Sequence, residues 1–200
     1  GMLKDIKPLI VDGTSLSWAT KGLTPETGQF LYETAAEILG KSHPLAVISG
    51  PSFAAEVAKD LPTAVTIASQ DEELNQTLAE AMHSSTLRIY TTTDVLGVQI
   101  GGTVKNVLAI SAGISDGLGY GANARAALIT RGMAEILRLA SSLGAQTETM
   151  FGLSGIGDLI LTCTDDQSRN RQLGLAIGRG LSVAEAVREV GKTVEGMHAA

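Results

Sequence analysis

Lys105 and Asn106 stand side by side in an apolar segment of this 200-residue chain, and that placement asks for a chemical reason. They close the run Gly101-Gly102-Thr103-Val104-Lys105-Asn106, within a stretch from Val95 to Ile114 that is otherwise rich in Val, Leu, Ile and Ala. A cation there is either desolvated or reaches into a cleft. Two readings stand: a lysine that snorkels out of a core helix, and a lysine that exchanges a proton near neutral pH. Further along, Asp158 and Thr162 fall at i and i+4, on one helix face. Asp158 would equally suit a first turn merely by favouring the helix dipole. In Gln167-Ser168-Arg169-Asn170-Arg171 a capping serine precedes an arginine and an asparagine. That arrangement makes either a phosphate cradle or a solvated arginine-rich turn.

As one set, these residues and Lys21 suit a small phosphorylated substrate that carries a carbonyl or hydroxyl. Reducing a ketone needs a hydride donor, a proton source for the forming alkoxide and a holder for the phosphate. Lys105 would give or take the proton, with Lys21 adding like-charge repulsion. Asp158 and Asn106 would orient it, Thr162 on the Asp158 face would bind substrate, and Arg169 and Asn170 would take the phosphate.

The elements that must position this set alternate in period. A helix is expected over Leu3–Leu9 and a short strand ending at Thr20. Thr24-Pro25-Glu26 reads as the capped start of a helix to about Leu39. Continuous apolar runs at Leu45–Ser49 and Ala64–Ala68 read as strands buried on both faces, and Leu87–Thr91 as a third. Helices at 52–58 and 71–82 separate them, so a parallel sheet covered by helices is expected. Ligands of such sheets sit beyond the carboxyl ends of the strands, where Lys21, Gly50-Pro51-Ser52 and Thr91-Thr92-Thr93 would lie. The Gly-Pro-Ser turn is either an anion site or a plain strand-to-helix connection. Beyond Thr93 only helices are expected: a long one capped by Asp94, then 122–143 closed by Gly144, 147–151, 157–162, 168–179 and 183–189. Gly113, Gly117, Gly119 and Gly121 read as a break between the two long helices. The boundary between an α/β part, 1–93, and an all-helical part, 94–200, falls near residue 93.

A net charge of −6 without any basic cluster argues against a nucleic-acid partner. The single cysteine, Cys163, excludes an internal disulfide and reads as a small buried hydrophobe. His43, His83 and His198 lack companions at metal-ligand spacing, so no metal site is expected. No signal peptide is recognised, and Gln99, Lys105 and Asn106 interrupt the one run that approaches membrane-spanning length.

The chain resembles the bacterial-type NAD(P)-dependent glycerol-3-phosphate dehydrogenases. The resemblance rests on Trp18-Ala19-Thr20-Lys21-Gly22-Leu23, Ile48-Ser49-Gly50-Pro51-Ser52-Phe53-Ala54, Gly101 to Asn106, Ser115 to Arg125, Gly157 to Thr164, Ser168 to Arg171 and Val194-Glu195-Gly196, in the family's order. It implies the C-terminal part of a Rossmann-type parallel sheet followed by a 6-phosphogluconate-dehydrogenase-like helical domain. It implies reversible reduction of dihydroxyacetone phosphate to sn-glycerol 3-phosphate, a precursor of membrane phospholipids. The single cysteine fits a reducing, cytoplasmic compartment, and a sheet missing its central strands would expose edges, so self-association, as a homodimer or otherwise, is expected. Lys105 would be the proton acceptor in the oxidation direction. Lys21, Gly50, Ser52, Asp158, Ser168, Arg169 and Asn170 would contact substrate, while Ala54, Val194 and Glu195, with Lys21 and Arg169, would line NAD or NADP.

The family's first strand and its Gly-x-Gly-x-x-Gly turn do not appear in the sequence, so a fragment with little or no turnover of its own is expected. Two other readings remain open: a related dehydrogenase acting on a β-hydroxy acid or sugar acid, and a helical association module without chemistry.

Overall fold

The computed structural model describes residues 2–191 apart from Glu26 and Lys41, together with Val194 and Gly196. Helix α1 (Met2–Ile6) runs into a 3-10 turn at Lys7–Leu9, and β1 (Leu16–Trp18) follows. The expected helix from Thr24 starts late, as α2 (Leu31–Leu39). Gly28 takes a positive φ of 68°, and Thr24 N donates to Gln29 O at 2.9 Å beside a Leu23–Phe30 bridge. The capping signature at Thr24-Pro25 is therefore spent on a closed turn.

The apolar run becomes β2 (Leu45–Ser49), followed by the short α3 (Ala54–Val57), then β3 (Thr63–Ala68), α4 (Glu72–Met82) and β4 (Leu87–Thr92). The strands pair in chain order, β1 with β2 and β3 with β4 in parallel. The middle pair departs from the expected all-parallel sheet: β2 and β3 run antiparallel, Ser49 opposite Thr66 and Val47 opposite Ala68. The connection between them, residues 50–62, holds only the single turn of α3, about 6 Å long, and no helix that lies along the sheet as a crossover. Gly50, at φ 143°, turns the chain so tightly that a Cβ there would lie 3.1 Å from Val65 Cα. One consequence corrects the sequence reading. Lys21 and Gly50–Ala54 share one end of the sheet, but Thr91-Thr92-Thr93 exits at the other.

From that other end α5 (Val95–Gly117) crosses the sheet, capped by Asp94, which accepts from Gly97 N at 2.9 Å. Val95 and Val98 pack on Val47 and Ala68, flanked by Trp18 and Tyr32. Its later turns leave the sheet and are enclosed by α6 (Gly121–Ser142), α7 (Thr147–Phe151), α8 (Asp158–Thr164) and α9 (Arg169–Gly178), with α10 (Val183–Val190) packed on α9. By length and composition α5 would suffice to cross a membrane, contrary to the sequence expectation, yet about two thirds of its most apolar window is buried inside this fold.

Glycines decide how closely α9 lies on α5. A Cβ at Gly113 would meet Arg171 O at 2.2 Å, and one at Gly174 would meet Ile110 O at 2.0 Å. Gly117 and Gly178 repeat the contact one turn on, each with its Cβ position 2.9 Å from the other's Cα. Gly113 and Gly117 are thus crossing surface rather than a helix break. The break belongs to Gly119 and Gly121, at φ 79° and 81°. At this crossing Asp116 accepts from both Arg125 and Arg171, and Arg171 also reaches Asp166 at 2.9 Å. Burial works to raise the Asp116 carboxyl, but the hydrogen bonds and charges of Arg125 and Arg171 overcome it and hold the group below its ordinary value.

Gly174→Ala should destabilise the chain by about 3 kcal/mol or more, because only helix separation relieves a backbone clash. Gly132→Ala, which meets only the side-chain end of Leu108, should cost about 1 kcal/mol. Equal urea midpoints for the two variants would contradict the role given to the crossing. The lowered Asp116 carboxyl gives stability that is complete above about pH 4 and drains away as pH falls through the folded-state value. Unfolding free energy measured from about pH 5 to about pH 2 should therefore fall less steeply in Asp116→Asn than in the parent chain.

Candidate active site

The close contacts that build the fold also bring Lys105 to a carboxylate. A Cβ at Gly101 would lie 2.3 Å from Ser154 O, so the π turn at Leu153–Gly157 sits directly on α5. Asp158 opens α8 from that turn, one helical turn along α5, and its Oδ1 lies 2.6 Å from Lys105 Nζ. Lys105 also donates to Thr162 Oγ1 at 3.2 Å, while the Thr162 hydroxyl donates to the Asp158 carbonyl at 2.6 Å. The i, i+4 spacing read from the sequence thus becomes a small closed network. All three residues are buried, Lys105 at 7% exposure and Asp158 at 2%. Lys105 therefore does not snorkel to the surface. Asp158 Oδ2 is buried and meets no protein donor.

On the next position of α5, Asn106 Oδ1 accepts from Asn170 Nδ2 at 3.0 Å, and Asn170 Oδ1 accepts from Gly196 N at 2.9 Å. A Cβ at Gly196 would meet Asn170 Oδ1 at 2.7 Å and Ile110 Cδ1 at 2.9 Å. This relay ties the segment holding Val194 to the long helix. Ser168 caps α9 by accepting from Arg171 N at 3.3 Å. Arg169 on the first turn of α9 is exposed and makes no ion pair among the described residues.

From the sheet side, the half-buried Lys21 lays its stem over Gly102, with Cγ and Cδ each 3.2 Å from where a Cβ would stand. The loop after β2 approaches α8 and α9 as well. Pro51 Cγ lies 3.8 Å from the Gly157 Cβ position, and Gln167 donates to Glu56 across 2.8 Å. Ser52 Oγ folds back to Gly50 O at 3.2 Å.

The structure joins Lys105, Asp158 and Thr162 by direct contact, and Asn106 to Asn170. Lys21, Gly50, Ser52, Ser168 and Arg169 lie on the elements around them. Ala54 is exposed on α3, Val194 is buried beside α9, and Glu195 lies outside the described residues. Gly196 and Gly102 went unselected by sequence reasoning, although both sit inside motifs that it quoted. Cys163, next to Thr162, is fully buried; burial above all, helped by the charge of Asp158 and opposed by Lys105 and Arg171, pushes its thiol up to about 12. It stays protonated and inert at neutral pH.

Two family models match this chain: NAD-dependent glycerol-3-phosphate dehydrogenase N-terminus over residues 1–75, and the C-terminus of the same family over 94–200. A protein of Idiomarina loihiensis named glycerol-3-phosphate dehydrogenase [NAD(P)+] is 56% identical over 98% of this chain and 59% of its own length. Its namesake in Thioalkalivibrio sulfidiphilus is 58% identical over 100% and 60%. The crystal structure of glycerol-3-phosphate dehydrogenase from Coxiella burnetii superposes with a TM-score of 0.95 at 50% identity, covering 99% of this chain and 60% of that one. The chain thus spans about 60% of the length of these relatives.

Lys105→Met should cost about 3–5 kcal/mol by leaving the Asp158 carboxylate buried without its cation. Lys105→Met combined with Asp158→Leu should recover most of that loss, and denaturant titration of the cycle checks it. Simple additivity of the two changes would mean that the ion pair is not the coupling between α5 and α8.

Proposed function

The chain belongs to the NAD-dependent glycerol-3-phosphate dehydrogenase family, and from that premise we propose that the whole protein interconverts dihydroxyacetone phosphate and sn-glycerol 3-phosphate. The observation that carries the reading is the buried Lys105–Asp158 pair bridged by Thr162, set between a half-buried lysine on the sheet side and the first turn of α9. The product would supply glycerophospholipid synthesis in the cytoplasm. The division of labour follows residues 1–93 for the dinucleotide side and 94–200 for the substrate.

Arg169 and the free N–H groups at the start of α9 suit the substrate phosphate, since Ser168 already satisfies Arg171 N. Asn170, held by Asn106, would add its second amide proton. Gly50 and Ser52 would close the site from the loop after β2. In the oxidation direction Lys105, once it has given up its own proton and stands as the neutral amine, accepts the proton of the substrate hydroxyl, and Asp158 stabilises the ammonium that forms. In reduction the same proton returns to the alkoxide oxygen. Thr162 holds the lysine in line, and Lys21 places a second cation near the developing oxyanion.

The exposed, unpaired guanidinium of Arg169 and the lysine over Gly102 are a donor set that fits the anionic body of a nicotinamide dinucleotide. With Ala54, Val194 and Glu195 they would hold NAD or NADP, which when bound supplies or takes the hydride. Self-association as a homodimer belongs to the same reading. It is supported by Tyr90 exposed on the edge strand β4 and by exposed Leu139 and Leu143 at the end of α6.

The test is dihydroxyacetone-phosphate-dependent oxidation of NADH and NADPH. It compares the 200-residue chain with a protein extended to the relatives' length, and turnover is expected in the longer protein and little or none in the shorter. Lys105→Arg, which keeps the cation opposite Asp158, should fold normally and lose about 10³-fold in kcat. Turnover of a β-hydroxy acid in place of the phosphorylated ketone would overturn the substrate assignment, and an unaffected Lys105→Arg would overturn the role of the lysine.

A further inference from the structure

Two hydroxyls beside Lys21 have no partner among the described residues. Ser49 Oγ and Thr103 Oγ1 are both buried, at 2% and 5% residue exposure, and neither makes a hydrogen bond with another described group. A buried hydroxyl left unsatisfied is costly, and two in the lining of one crevice call for a common partner. Both line the same crevice, between the end of β2 and the third turn of α5, together with Lys21, Gln99 and the apolar Leu31, Val47 and Val98. Its interior room is about 10 Å³, which admits one water molecule and no larger ligand. Gln99 gives its carbonyl oxygen to Tyr32 N at 2.9 Å, so its NH2 is the donor left over. Gly102 stands next to two of the lining residues. The point where its Cβ would stand is 3.3 Å from Ser49 Oγ and 3.2 Å from Lys21 Cγ and Cδ.

We propose that Ser49 and Thr103 hold a single buried water in this crevice and that the water and the two hydroxyls fix the position of Lys21 over α5. This rests on the reading of Lys21 as a substrate-facing group. Lys21 makes no hydrogen bond or ion pair among the described residues, so its stem packing on Gly102 and this polar floor are what orient it. Ser49 and Thr103 are then positioning residues: they touch neither substrate nor cofactor, and act on binding through the lysine. A water with three or four partners suits the place, because a second charged group would face three apolar side chains.

A high-resolution crystal structure of the 200-residue chain is expected to show density for one water within hydrogen-bond distance of both hydroxyls. That density should vanish in the Ser49→Ala/Thr103→Val double variant. In the protein that turns over the phosphorylated ketone, Thr103→Val should raise KM about 5-fold, the effect of about one hydrogen bond, with kcat changed less than about 2-fold. Thr103→Ser, which restores the hydroxyl alone, should return KM to the parent value. An empty crevice in the parent structure, an unmoved KM in the double variant, or a Thr103→Ser as impaired as Thr103→Val would each overturn the proposal. If the parent protein does not reduce the ketone at all, the functional reading fails, and the density alone decides for or against the water.

Discussion

The backbone-to-backbone crossing of α5 and α9 is the constraint from which the rest of the structure follows. Four glycines, Gly113 and Gly117 on one helix and Gly174 and Gly178 on the other, bring main chains so near that a methyl group at Gly174 would stand 2.0 Å from a carbonyl oxygen. Helix axes normally keep a distance set by the side chains between them, and with none there the helices meet at their carbonyls and Cα atoms. That approach sets the height of the α9 N-terminus above α5, which places Asn170 within reach of Asn106. It also buries Asp116 between two arginines, since a charge at so close a crossing is tolerated only when paired.

A second glycine contact, Gly101 against Ser154 O, does for α8 what the crossing does for α9. Between them, the two contacts bring a carboxylate and an anion-ready helix start to the same length of α5. The sheet contributes its end rather than its face. β2 and β3 run antiparallel, joined through the single turn of α3, and the loops after β1 and β2 both open toward α5 where Gly102 leaves space. The stem of Lys21 lies over Gly102 in that space, so the sheet and the helical part meet around one turn of one helix.

How much of this was legible in the sequence depended on how local its cause was. β2 and β3 announce themselves as continuous apolar runs, α4 by the Asp71 cap and α6 by its period and the terminal Gly144. Lys105, Asp158 and Thr162 were readable because polar residues in an apolar helical register need a partner. Gly28 undid the expected start of α2, a turn residue outweighing a good capping signature. The antiparallel pair was hidden, because continuous apolar runs carry no information on strand direction and the 50–62 connection is long enough for either one. Gly113 and Gly117 were misread as a break, since what gives them meaning is Gly174 and Gly178, some sixty residues away. Ser49 and Thr103 carried no signal alone, and became visible only once β2 and α5 were seen to share a crevice with Lys21.

The relay from Gly196 through Asn170 to Asn106, and the ion pair beside it, also set an order of events in time. Lys105 and Thr162 are 57 residues apart in the chain, and Asn106 and Asn170 are 64 apart. The pairing of β3 with β4 through α4 and the packing of α5 against α6 close much shorter loops. Contacts between distant segments carry the larger loop-closure cost and form late. By that argument the Lys105–Asp158 pair is expected to close at the end of folding, after the sheet and the helical hairpin, and to stay solvated as two separate charges until then.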